Sequence, residues 1–203
     1  MGWCFLKAQI FFWNKEYSYL VLLHVLKNMA NKVIIGYHTQ HHVFLQRTFP
    51  NLAEGYEEWL GDGYYFWEDE YFANWWGREK KCAPSNRTRR YTIYQSILEF
   101  DEDDFIDTVF NEEDYYNFVQ TVERFSKELQ KNLNRKPDLR EFNQFIADFK
   151  VWEDIKVIRF QDLPKNDEHV EVKEFYYKKR IQVRVSDPKI ITTFTVHKNM
   201  ACI

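Results

Sequence analysis

Gly61-Asp62-Gly63-Tyr64-Tyr65-Phe66-Trp67-Glu68-Asp69 is the stretch from which the rest of the chain is read. Two glycines, which enter backbone regions closed to other residues, stand directly before four consecutive aromatic residues. The pattern predicts a tight turn, a strand, and then a short helix from Glu68 through Trp76 that carries Ala73, Trp75 and Trp76. The glycines fit two readings equally: a turn entering an aromatic core, or a backbone left bare for close approach of a ligand. Aromatic density is a property of the whole chain, with 7 Trp, 13 Tyr and 18 Phe among 203 residues, partly clustered between Tyr56 and Trp76. Such density serves packing first and the stacking of a flat ligand second.

Working outward, Val33 to Tyr37 reads as a strand. Tyr91 to Phe100 reads as another, in which Ile93, Gln95, Ile97 and Glu99 alternate with Tyr94, Ser96, Leu98 and Phe100. Asn111 precedes Glu112, Glu113 and Asp114, a cap followed by acids at a helix's positive end, and Tyr115, Phe118, Val119, Val122, Phe125, Leu129 and Leu133 recur at helical spacing. A second helix is expected after Pro137, with Asp138 as its cap and Leu139, Phe142, Phe145, Ile146 and Phe149 on one face. Strand patterns return at Ile155 to Phe160, Val170 to Phe175, Arg180 to Val185 and Ile190 to Val196. Strands at both ends and helices between them predict an α+β fold in which a helical hairpin, residues 111–150, is inserted and distant segments complete the sheet.

Lys and Arg number 28 against 31 Asp and Glu, a net charge of −3, which argues against a protein that coats nucleic acid by charge alone. Residues 29–203 are expected to form a single domain. Residues 1–28 are an apolar extension broken by Asn14, Lys15 and Glu16, too short in its longest run for a bilayer span and without a signal peptide's order. Leu6 breaks the myristoylation pattern. Met29-Ala30-Asn31-Lys32 offers a second start, so the extension is expected to be dispensable, and no membrane association is expected. Cys4, Cys82 and Cys202 are odd in number, far apart and outside Cys-x-x-Cys spacing, which predicts neither a disulfide framework nor a zinc site and fits a reducing cytoplasm. In that compartment the Asn86-Arg87-Thr88 sequon is a chance match.

The chain lacks a Gly-rich phosphate loop, a Gly-x-Ser-x-Gly elbow and a His-Glu-x-x-His motif. His38, His41 and His42 would share a face if helical, but His38 continues a strand pattern and no Cys or acid motif completes a ligand set, so no metal is expected. Arg78, Lys80, Lys81, Arg87, Arg89 and Arg90 form a basic stretch with Pro84 and Ser85, expected to be a solvated loop balanced by the acidic run Glu99 to Asp107.

Tyr37-His38, then Gly61-Asp62-Gly63-Tyr64-Tyr65-Phe66, then a helix with an aromatic end resembles the nicotinamide-binding half of the ADP-ribosyltransferase fold, in its diphtheria-toxin and poly(ADP-ribose) polymerase branch. That branch carries a His-Tyr-Glu triad on three strands. His38-Thr39 matches its His-Gly, and Tyr65 matches its tyrosine. Gln182-Val183-Arg184-Val185-Ser186-Asp187 matches the late strand whose first residue is the catalytic Glu and whose Asp follows at five, with Gln182 in place of the Glu. The resemblance covers residues 33–76 and about 180–194, and the helical hairpin has no counterpart in it.

The resemblance implies split mixed sheets and NAD as substrate. His38 would donate to the 2′-hydroxyl of the adenosine ribose, and the backbone of Thr39 would pair with the nicotinamide carboxamide. Gly63 would leave room for the ligand, and Tyr65 would sandwich the pyridinium ring with Trp76, or with Trp75 if the helix is one residue shorter. Gln182 would bond the nicotinamide ribose but cannot serve as a base. Glu171 and Glu174 are read as exposed strand-face charges that could otherwise supply the missing carboxylate. The expectation is mono-ADP-ribosyl transfer, or NAD glycohydrolysis, on a protein or nucleic-acid acceptor, of the toxin or defence kind that a cognate antidote protein accompanies. An inactive NAD-binding module and an interaction protein with an all-core aromatic cluster are the alternatives.

Overall fold

A computed structural model describes residues 31–43, 45–56, 58–82, 89–162 and 180–202. The expected extension 1–28, the strand Val170 to Phe175, Glu171, Glu174, Arg87 and the sequon lie outside the described residues.

The described residues fold around one seven-stranded mixed sheet. In sequence the strands are β1 (Lys32–His41), β2 (Tyr64–Trp67), β3 (Arg90–Phe100), β4 (Phe105–Asp107), β5 (Val157–Gln161), β6 (Ile181–Val185) and β7 (Ile191–Ala201). In space they run β4-β5-β6-β2-β1-β3-β7, antiparallel throughout except for the parallel pair of β4 and β5. The sheet is therefore continuous where split sheets were expected, but its middle is thin. β1 meets β3 over ten register pairs from Lys32 opposite Phe100 to His41 opposite Tyr91, whereas it meets β2 at Tyr37 opposite Trp67 alone.

Side chains alternate between the two faces. On one face Ile34, Phe66, Leu98, Val157, Val183 and Val185 pack together with Phe100, Phe105, Ile190 and Ile191. The other face is covered in two places. α1 (Glu70–Trp76) brings Phe72 and Ala73 against Trp67, Tyr91 and Ile93. The hairpin of α2 (Glu112–Leu133) and α3 (Leu139–Asp148) lies in the β4-to-β5 connection, with Phe118 packed against the cluster of Leu60, Ile158 and Phe160.

Local chemistry explains the helix ends. Asp69 Oδ1 accepts from the Tyr71 amide and starts α1 two residues later than the periodicity suggests. Asn111 accepts from the amides of Glu113 and Asp114, and Asp138 with Glu141 forms a capping box. Asn134, at φ 55°, ends α2 in the left-handed region that Asn tolerates. Asp187, the acid expected at the late strand, caps the single turn Pro188–Ile190 before β7.

Two features differ from the sequence reading. α1 runs on into a π-helical turn, Gly77–Lys81, so the start of the basic stretch is structured. Cys82 at its end is bonded to Cys202. The separation of 120 positions between the two cysteines hid this pairing, but β7 returns along β3 until Ala201 faces Arg90, and the Cys202 amide donates to the Arg89 carbonyl. The disulfide removes the cysteine argument for a reducing compartment. Among the described residues no helix is long and apolar enough to cross a membrane.

Closing so long a loop restricts the unfolded chain. Reduction, or Cys202→Ser, is expected to lower the unfolding free energy by about 2–4 kcal/mol, read as a lower urea midpoint. A midpoint that reductant leaves unmoved contradicts the pairing.

Candidate functional site

The thin seam between β1 and β2 opens into a cavity of about 220 Å³. Pockets that enclose a drug-sized ligand run to roughly 300–1,000 Å³, so this one holds part of such a molecule and leaves the remainder at its mouth. His38, Thr39, Tyr65, Trp76 and Gln182 all line it. They come from β1, β2, α1 and β6, elements separated by up to 144 positions in the chain, since His38 and Gln182 are 182 − 38 residues apart. Trp67, opposite both Tyr37 and Gln182, lines the cavity beside them.

Gly63 and Trp75 lie outside the lining. A Cβ on Gly63 would sit 2.8 Å from Arg184 Nε, so its bareness accommodates a neighbouring side chain. Gly61, at φ 71°, supplies the turn. Trp75 packs edge-on to Trp67 and holds the Arg180 guanidinium 4.2 Å from its ring centre, so of Trp75 and Trp76 it is Trp76 that lines the cavity.

The turn before β2 is fastened from several sides. Arg184 donates through Nε and Nη2 to the Asp62 carbonyl at 3.0 and 2.7 Å, and Asp62 Oδ1 accepts from the Tyr56 amide. The buried Asn143 of α3 donates to the carbonyls of Tyr56 and Glu58 at 2.9 and 2.7 Å. The Tyr65 hydroxyl donates to the Gly61 carbonyl at 2.6 Å and accepts from the Leu60 amide at 3.2 Å. Burial holds this phenol well above its usual range, so it keeps its proton and its hydrogen bond. Tyr65 is thus both part of the cavity wall and a tie of the turn, its ring edge-on to Phe160.

His38 is half-buried, and its Nδ1 lies 2.7 Å from the Tyr65 carbonyl oxygen. A carbonyl accepts only, so Nδ1 carries the proton. Burial, reinforced by the positive charges of Lys81 and Arg47, lowers the imidazole pKa to about 4 against the Tyr65 bond that raises it. The ring is therefore neutral at pH 7, and Nε2 is an acceptor. The sequence reading made His38 a donor to a ligand hydroxyl; the geometry reverses the bond's direction.

Thr39 is buried, and its Oγ1 donates to the Ala73 carbonyl at 2.7 Å, locking β1 to α1. His41 still belongs to β1 and His42 bonds Thr92 Oγ1, so the three histidines do not share a helical face.

Composition in one dimension did not single out Gln40, Arg47, Asn51, Leu52, Ala53 and Glu58, which complete the wall. Lys81, from the basic stretch, also lines it, and burial holds its ammonium below the usual lysine range while Glu58 opposes the shift. The one signal available for Arg47 and Glu58 was their position in a long connection between two strands that part.

Compared with models of protein families, with curated proteins and with solved structures, the chain matches none.

A neutral buried histidine makes stability fall with acid. The unfolded chain takes up a proton below pH 6.5 that the folded chain refuses until about pH 4, so stability drops as pH falls through that window. His38→Asn is expected to show a shallower fall than the wild type over the same range, measured by urea unfolding. Parallel curves refute the assignment.

Proposed function

We propose that the chain is an NAD-dependent ADP-ribosyltransferase, transferring a single ADP-ribose or releasing it to water. The observation that carries this reading is the convergence of His38, Tyr65 and Gln182 from three neighbouring strands on one cavity that Trp76 also lines. These are the positions that the resemblance singles out, brought together across a sheet.

Tyr65 and Trp76 offer two aromatic faces to a cationic pyridinium. The indole of Trp76 already holds a cation, with Lys80 Nζ 5.5 Å from its ring centre. His38 Nε2 accepts a ribose hydroxyl, and Arg47 and Lys81 supply positive charge for the diphosphate at the mouth. The bond between nicotinamide and the ribose C1′ breaks with both electrons leaving on the nicotinamide nitrogen, which loses its positive charge. C1′ and the ring oxygen then share that charge until a lone pair of the acceptor, a macromolecular group or water, closes on C1′, and the acceptor's proton passes to solvent. Holding the dinucleotide in place supplies the proximity. The Gln182 amide oxygen faces the developing charge with a dipole where a carboxylate would give a full charge. The missing charge corresponds to about 10²–10³ in rate.

Incubation with NAD labelled in both halves tests the reading. Nicotinamide release with transferred or free ADP-ribose is the expected result. Saturable binding without release assigns the same cavity to an inactive NAD-binding module, which the uncharged Gln182 favours as the second reading. No binding overturns both. Trp76→Ala is expected to weaken NAD binding roughly tenfold or more, and Gln182→Glu to raise nicotinamide release by at least about tenfold.

A further inference from the structure

The side chain of Gln40 is almost wholly buried, at 2% exposure, and neither its Nε2 nor its Oε1 has a hydrogen-bond partner. Buried amides are satisfied almost without exception in folded proteins, so a donor and an acceptor left open together call for a reason. Gln40 lines the cavity, which supplies one.

Its place on β1 says which half of a ligand it meets. His38 and Gln40 are two residues apart and point to the same face of the strand. His38 marks that face by its neighbours Phe66 and Phe194, at 5.6 and 6.1 Å between ring centres. Thr39 points the other way, bonded to α1, the helix that carries Trp76. The nicotinamide ring belongs with Trp76, so the part of a dinucleotide that passes His38 and reaches Gln40 is the adenosine half. An amide presents one donor beside one acceptor, and N7 and the 6-amino group of adenine offer the complementary acceptor and donor in the same plane.

We infer that Gln40 reads the adenine base of the dinucleotide, a specificity role that rests on the NAD reading above. Both amide atoms are closed to water in this structure, so the wall around them must open for the base to enter. Among the described residues, the stretch 45–53 is tied to the sheet by the Arg47 amide bonded to the Tyr94 hydroxyl at 3.4 Å, by Phe49 packed edge-on to Tyr64, and by the bridge between Ala53 and Gly63. Leu45, Phe49 and Leu52 stand exposed on it.

The test titrates the full chain with NAD and with nicotinamide hypoxanthine dinucleotide, in which a carbonyl oxygen replaces the 6-amino group, and follows thermal unfolding in parallel. The wild type is expected to bind NAD about tenfold more tightly than the hypoxanthine analogue. Gln40→Leu and the closer isostere Gln40→Met are expected to lose that preference and weaken NAD binding about tenfold. Their ligand-free melting temperatures should be no lower than the wild type's, because the substitutions remove an unsatisfied amide. A lower melting temperature with unchanged NAD affinity overturns the inference and makes Gln40 structural. Equal affinity of the wild type for the two dinucleotides also overturns it while leaving the NAD reading standing, and decides the matter even if neither variant folds. A wild type that binds neither dinucleotide removes the NAD reading and this inference with it.

Discussion

β1 and β2 touch at Tyr37 opposite Trp67 and then part, and the cavity exists because they do. A backbone group exposed by such a parting must find another partner or remain costly. His38 Nδ1 meets that demand for the Tyr65 carbonyl, reaching across where the next rung of the ladder would have been. The same bond fixes the ring's tautomer and leaves Nε2 for whatever enters. A side chain that completes the sheet's hydrogen bonding and presents an acceptor to the opening cannot be replaced in one role without disturbing the other.

The helical hairpin belongs to this site although it lies in a different connection. Asn143 of α3 holds two consecutive segments of the turn before β2, and Phe118 of α2 packs against the cluster that includes Tyr65. With Arg184 gripping Asp62 from β6, the turn is clamped between helix and strand, and the aromatic side chains of β2 inherit that fixed position. On the other wall the π-helical turn carries Lys81 to the cavity and ends in the Cys82–Cys202 bridge, so β7 at the edge of the sheet restrains a residue near its centre. The wall opposite is held by the bridge between Ala53 and Gly63 and by the Arg47 amide on the Tyr94 hydroxyl.

What could be read in one dimension was local. The caps Asn111 and Asp138 sit beside the amides they satisfy, and the Gly61 turn is a property of its own backbone, so spacing alone located α2, α3 and β2 and placed the start of α1 within two residues. β4 escaped notice because three residues inside an acidic run carry no pattern, and they form a strand through their pairing with β5. Gly63 was ambiguous for a physical reason: a bare Cα answers equally to a ligand and to Arg184, which lies 121 positions away, 184 − 63. Which of Trp75 and Trp76 lines the cavity turned on the phase of one helix: Trp76 does, and Trp75 stacks on Arg180. Gln40 looked like any strand glutamine, since an unsatisfied amide is visible only when every neighbour is in place.

The electrostatics of the cavity set terms for any ligand. Arg47 and Lys81 line it and press His38 toward neutrality, Glu58 is the carboxylate among the described lining residues, and Gln182 adds none. A pyridinium placed near this set is repelled by the two cations, and a diphosphate is attracted. A dinucleotide that carries both groups would gain most with its anion beside Arg47 and Lys81 and its cation between aromatic faces, where π-density offsets the unfavourable field. In the proposed reaction, breaking the bond to ribose would discharge the ring and move the positive charge to the sugar. On that proposal the uncharged amide of Gln182 would weaken the transition state more than the bound state, so its effect would appear in turnover more than in affinity.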